Sequence, residues 1–183
     1  MLPPGHIAAG YLTAYGLTHL PNSSLTPNET NALLVAGAIL GTLPDIDFIP
    51  FFVSRKSMRF TDEDSHRRYI THTPILWLIV GLIIALAAPN AFIWTLGLLI
   101  WLASWGHFIG DSIEHGVRWF WPLSKRYFSL GNYPDRDLNT GKTLLNHYWG
   151  IVKIYLKKSR TFPLEAVLTL TALAVLLRNS INN

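Results

Sequence analysis

The stretch THTPILWLIVGLIIALAAPNAFIWTLGLLIWLASWGHFIGD, residues 71–111, decides how the rest of the sequence is read. PILWLIVGLIIALAA (74–88) and AFIWTLGLLIWLASW (91–105) are apolar runs with no charged residue between 74 and 106, parted only by Pro89 and Asn90. Runs of that length read as helices, and so short a breaker between them makes a tight antiparallel hairpin. Both helices rise about 1.5 Å per residue, so residues equidistant from the turn lie at the same height. His72 and His107 have their midpoint at 89.5, inside the turn, so both are expected at the hairpin's open end.

The same arithmetic applies further out. Pro3 and Pro4 suit a helix's first turn, and GHIAAGYLTAYGLTHL runs unbroken to Pro21, giving a first segment at 4–20. PNSSLTPNET (21–30) is a polar turn with Thr26 or Asn28 as caps. ALLVAGAILGTL (32–43) is a second apolar helix, which Pro44 should interrupt, leaving Asp45 and Asp47 on irregular backbone beyond it. His6 and Asp45 are equidistant from the middle of the 21–30 turn, so a second open end is expected to carry them level. His107 and Asp111 are four residues apart and share a helical face, and Glu114 and His115 extend that stripe on the assumption that the helix continues to about residue 115.

After a basic, amphipathic region at 116–161 with nine Lys or Arg, PLEAVLTLTALAVLL (163–177) supplies a final apolar helix. The expectation is an all-α, membrane-embedded bundle of about five helices forming one domain over 1–183. Half the chain is apolar, 14% is charged and the mean hydropathy is positive, which is too apolar for an ordinary soluble domain of this size. Runs of 15 to 17 residues reach roughly 25 Å, short of a hydrocarbon core of about 30 Å, so some helices are expected to sit in thinned bilayer or to stop short. MLPPGHIAAG has no Lys or Arg before its apolar residues and no small-residue cleavage site, so the first helix is expected to stay.

Orientation follows from the basic residues. Arg55, Lys56, Arg59, Arg67 and Arg68 precede the hairpin and Arg118 to Arg160 follow it, while the turns at 21–30 and 89–90 carry none. The positive-inside rule puts the open ends, with their His and Asp, at the cytoplasmic face of the inner membrane, and the C-terminus outside. Trp119, Phe120, Trp121 and Phe128 are candidates for the interface. The absence of Cys excludes disulfides and thiolate metal sites, so any metal must be held by His, carboxylate, water or substrate oxygen.

Two hairpins thus deliver imidazoles and carboxylates to one surface, and ionisable groups near lipid are costly and usually functional. The metal-ligand candidates are His6, Asp45, Asp47, His72, His107 and Asp111. His66 is a ligand, a general acid or simply polar; Arg67 and Arg68 are phosphate-binding or ordinary positive-inside charges; His19 and His147 fall outside the pattern.

With those residues in hand, the chain resembles the membrane-bound metal-dependent hydrolase family, the YdjM-like proteins. The matching pieces are His6 with the small and apolar residues after it, LPDID at 43–47, His66 and Arg67 with THT at 71–73, HFIGD at 107–111, Gly116-Val117 and WPLS at 121–124. The resemblance covers roughly residues 5–130. It implies a membrane relative of the zinc-dependent phospholipase C and single-strand nuclease superfamily, hence phosphoester chemistry on two divalent ions. Zinc is the first choice of metal, with Mn or Fe as alternatives. By the same resemblance Asp111 bridges to a second ion that also uses His6.

Two such ions activate water and neutralise charge in an in-line displacement. The catalytic candidates are then Asp45, Asp47, His66 and Arg67, with Arg67 and Arg68 the groups placed to meet an anionic phosphoester. A site at headgroup level favours a lipid or lipid-linked phosphate, with membrane lipid as partner and no specific nucleic-acid recognition. A membrane nuclease, a metal-ion transporter and a non-catalytic metal-stabilised scaffold are the alternatives. Oligomeric state is not legible.

Overall fold

The computed structural model describes residues 1–21, 24–47, 49, 50, 53, 66–131, 149, 152, 153 and 155–182. Its α-helices are α1 (Pro3–Thr18), α2 (Pro27–Leu40), α3 (Pro74–Leu86), α4 (Ala91–Ser112) and α5 (Thr161–Asn182). Among the described residues between α2 and α3 are three 3-10 turns, Leu43–Asp47, His66–Arg68 and Ile70–His72. The described residues contain no strand, only one antiparallel bridge between Val117 and Phe128.

The helix starts follow from local chemistry. Proline stands in the first turn of α1, α2 and α3, where a missing N–H costs nothing. α2 begins five residues earlier than the apolar run, because Thr26 and Glu29 close a reciprocal capping box around Pro27. Asn90 caps α4 by accepting from the Ile93 amide at 2.9 Å. α4 stops at Ser112 rather than near 115, and α5 extends the expected 163–177 at both ends.

α1 and α2 form one antiparallel hairpin, α3 and α4 the other, and α1 packs against both α4 and α5. Glycine allows the close approach in each hairpin: a Cβ on Gly37 would lie 2.5 Å from the Gly10 carbonyl oxygen, and one on Gly81 would lie 2.6 Å from that of Gly97. The core between the hairpins is Ala14, Leu33, Leu34, Leu40, Leu99 and Ala103, with Trp77, Phe108 and Val117 beneath the α3–α4 open end. α4 and α5 (to Ile181) are long and apolar enough to cross a membrane, and α3 is a shorter apolar helix. α5 leaves Val167, Leu170, Leu173, Leu176, Leu177 and Ile181 exposed, a face suited to lipid rather than water.

Alternating chain direction gathers a terminus of every helix at one pole of the bundle. α1, α3 and α5 start there, and α2 and α4 finish there.

Candidate metal centre

Each helix end at that pole presents polar side chains inward. His6 lies in the opening turns of α1, Asp45 and Asp47 in the 3-10 turn after α2, His72 at the close of the turn before α3, and His107 and Asp111 one helical turn apart at the end of α4. His6, Asp47, His72, His107 and Asp111 are buried, whereas the Asp45 side chain is 32% exposed. The cluster therefore opens to solvent past Asp45.

Asp45, His72, His107 and Asp111 each offer one ligand atom, and these four atoms lie within 4.8 Å of one another. His107 Nε2 is 3.5 Å from Asp45 Oδ1 and 4.0 Å from Asp111 Oδ2. His72 Nδ1 is 3.4 Å from Asp47 Oδ2 and 3.8 Å from Asp45 Oδ1, and its Nε2 is 3.6 Å from Asp111 Oδ2. His6 Nε2 is 3.3 Å from Asp111 Oδ1, and the His6 ring stacks on His107 with centroids 3.8 Å apart. Donors bound at about 2.1 Å to one ion stand roughly 3 to 4 Å from each other. The pairs above lie at 3.3 to 4.0 Å, with His72 presenting one nitrogen to Asp45 and the other to Asp111, and the four ligand atoms spread over no more than 4.8 Å. The set is imidazole and carboxylate without thiolate, and it fits Zn, Mn or Fe.

Hydrogen bonding supports the same fit. His107 Nδ1 is 2.9 Å from the Gly41 carbonyl oxygen, so that nitrogen carries the proton and donates it. The Nε2 lone pair is thereby turned toward the cluster, as in metal-ligating histidines. His107 Nε2 and both ring nitrogens of His6 are buried and make no hydrogen bond among the described residues. A buried polar atom left so is costly unless something else meets it. At His72 burial pulls the imidazole pKa down, but the Asp111 and Asp47 carboxylates outweigh it and the net shift is upward.

The surroundings fix these groups in place. The Thr71 hydroxyl donates to Asp47 Oδ2 at 3.0 Å, and Trp77 Nε1 donates to the Thr71 carbonyl at 2.7 Å. Arg118 donates to the carbonyls of Arg67, Arg68 and Tyr69, tying the turns before α3 to the segment after α4. Trp119 Nε1 bonds Ser112 Oγ at 2.8 Å, so this tryptophan anchors α4's end as well as standing near the surface.

Arg67, read from sequence as a phosphate binder or an ordinary positive-inside charge, holds Asp111 Oδ2 through Nε at 3.2 Å and Nη2 at 3.1 Å. The Met1 nitrogen lies 2.8 Å from Asp111 Oδ1. His115 is partly buried beside the cluster, and burial, reinforced by the Arg67 guanidinium, holds its imidazole well below the usual histidine range. Glu114 does not extend the His107–Asp111 stripe. The helix has already ended at Ser112, and Glu114 turns instead to Ser159 and Thr161. His19 stacks on Tyr15 at the opposite end of α1, away from the cluster. The His66 backbone is in a 3-10 turn, but its side chain, like Arg55, Lys56, Arg59 and His147, lies outside the described residues.

Sequence reasoning missed the Gly41 carbonyl and Arg118. A backbone acceptor leaves no trace in residue identity, and Arg118 reads as one more charge in a basic segment.

The sequence model described as YdjM inner membrane protein matches residues 1–181. No curated protein and no solved structure matches the chain.

Proposed function

We propose that this chain, which belongs to the YdjM inner membrane protein family, is a multi-pass membrane enzyme that hydrolyses a phosphoester in a lipid or lipid-linked phosphate at its cytoplasmic side. The observation that carries this reading is the meeting of Asp45, His72, His107 and Asp111, from three separate elements, with ligand atoms within 4.8 Å.

These four residues would hold one divalent ion, zinc by preference, and His6 with Asp111 would contribute to a second. Such an ion polarises a phosphoryl oxygen and lowers the pKa of water toward neutrality. Asp47, whose Oδ2 accepts from the Thr71 hydroxyl, would take the proton of the attacking water. Arg67 is partly exposed beside Asp111, where it can bind the substrate's phosphate and balance its charge. Asp45, at the open side, borders the approach path, and His66, next to Arg67 in the sequence, is the candidate to protonate the leaving oxygen.

Phe120 is 67% and Leu123 94% exposed on the segment after α4, next to Arg118, Lys125 and Arg126. Apolar tips among basic residues suit insertion at an anionic headgroup layer. The donors sit at helix ends rather than at mid-length, which speaks against a transport pathway.

The test is hydrolysis by purified, zinc-loaded protein of a phospholipid, a soluble phosphodiester and single-stranded DNA, with Asp111→Ala and His107→Ala alongside. Turnover of the lipid phosphate that disappears in both variants supports the reading. Turnover of the DNA alone would favour a nuclease, and activity surviving full metal removal would overturn the mechanism. A reporter fused after Asn183 should appear outside the cytoplasm; a cytoplasmic signal would overturn the orientation.

A further inference from the structure

α2 and α5 both lie against α1 but barely touch each other, and between them runs a cavity of about 800 Å³ with α1 as its floor. Its walls are almost wholly apolar: Ile7 on the floor, Val35 and Ile39 on α2, and Ala172, Leu173 and Leu176 on α5. The lining runs from Asn31 to Thr42 on α2 and its following turn, and from Thr169 to Ser180 on α5, eleven residue steps on each wall. At 1.5 Å per residue that is about 16 Å. One leaflet of a hydrocarbon core about 30 Å thick has the same depth.

The two ends differ. At the pole carrying the His/Asp cluster the groove finishes on Pro4, two residues before His6, and on Thr42, next to the Gly41 carbonyl that holds His107. At the opposite end Asn31, Asn179 and Ser180 place polar groups across it. An aliphatic chain can enter the groove but gains nothing by passing that rung, where it would meet amide and hydroxyl groups.

We infer that this groove binds one acyl chain of a phosphate-bearing glycerolipid, holding the lipid so that its phosphate reaches the His/Asp cluster. The inference rests on the proposed function for the role of the cluster, and it adds a ruler: a chain of one leaflet's length fills the groove, whereas a long polyprenyl tail overruns it. A single chain in a preformed apolar cleft beside a polar reaction centre is the usual division between affinity and chemistry in ligand sites.

The test fills the groove from each wall separately, with Ala172→Trp on α5 and Ala38→Trp on α2, in full-length protein in detergent. Native mass spectrometry reads the retention of dioleoyl phosphatidic acid, and parallel assays compare its turnover with that of dihexanoyl phosphatidic acid. Wild type should retain the long-chain lipid. Both variants should lose it about tenfold, the equivalent of two buried methylenes, and the long-to-short ratio of kcat/KM should fall by a similar factor. Equal retention by wild type and both variants, or no retention by wild type, overturns the groove. Retention that the variants abolish, with neither lipid hydrolysed by zinc-loaded protein, leaves the groove standing and overturns the phosphoester reading instead.

Discussion

Two buried acidic clusters flank the end of α4, and they treat their carboxylates in opposite ways. Both carboxylate oxygens of Glu114, and Oε2 of Glu165, meet neutral donors. Ser159 Oγ at 2.8 Å, Thr161 Oγ1 at 3.0 Å and the Arg160 amide donate to Glu114, while the Tyr155 hydroxyl and the Leu2 amide, at 3.1 Å, donate to Glu165. Three residues back, Asp111 meets cations, the Met1 nitrogen at 2.8 Å and the Arg67 guanidinium at 3.1 Å. Asp111 and Asp45 also face imidazole nitrogens across 3.3 to 4.0 Å, of which those of His6 and His107 make no hydrogen bond among the described residues. The first cluster is closed and holds the start of α5 to the end of α4. The second has the spacing and the unsatisfied lone pairs that a cation would complete. Burial of charge alone does not mark a site; the pattern of satisfaction does.

Substitutions should separate the two. Asp111→Asn keeps the shape but removes the charge that Met1, His6, Arg67, His72 and His107 share, and it should lower phosphoester turnover by about 1000-fold or more and release the metal. Kinetics with metal analysis on the same sample checks this. Glu114→Ala removes the carboxylate that accepts from two hydroxyls and an amide, so thermal or denaturant unfolding should show a loss of about 2 to 3 kcal/mol while bound metal per folded chain stays as in wild type. Metal loss on Glu114→Ala at unchanged stability would break the distinction. Thr71→Val removes the hydroxyl that orients Asp47, and it should weaken metal affinity about tenfold in a chelator competition, with little change in stability.

The smallest effect expected is one of pH. His115 has its pKa lowered in the folded chain relative to about 6.5 unfolded, so the unfolded state binds the extra proton first. Stability should therefore be full above pH 6.5 and fall as the pH drops below it, by up to about 1 kcal/mol over the first unit. His115→Asn should flatten that limb in unfolding titrations at pH 5.5 and 6.5; an unchanged slope would assign the acid sensitivity elsewhere.

Much of this arrangement is legible from helix rise alone. Residues equidistant from the turns at 21–30 and 89–90 do arrive at one pole, because antiparallel helices of equal rise have no other choice. The pairing within that pole is not legible. His6, expected level with Asp45, stacks on His107 and faces Asp111, because α1 packs on α4 as well as on α2. Glu114 escapes the stripe for a different reason: extrapolating a helical face past its last turn places a side chain that the real backbone has already redirected. Trp77 and Trp105 show the same limit. Both donate their indole N–H to carbonyls of residues 71 and 74, a positioning role that composition cannot tell from an interfacial belt.

The most direct measurement is the metal content of the purified protein by inductively coupled plasma mass spectrometry, for wild type, Asp111→Asn, His107→Ala and Glu114→Ala. A divalent ion, zinc first, should be present at one or two per chain in wild type and in folded Glu114→Ala, and should be lost from the other two. Stoichiometric metal that survives in both Asp111→Asn and His107→Ala, or none in wild type purified without chelator, would contradict the account.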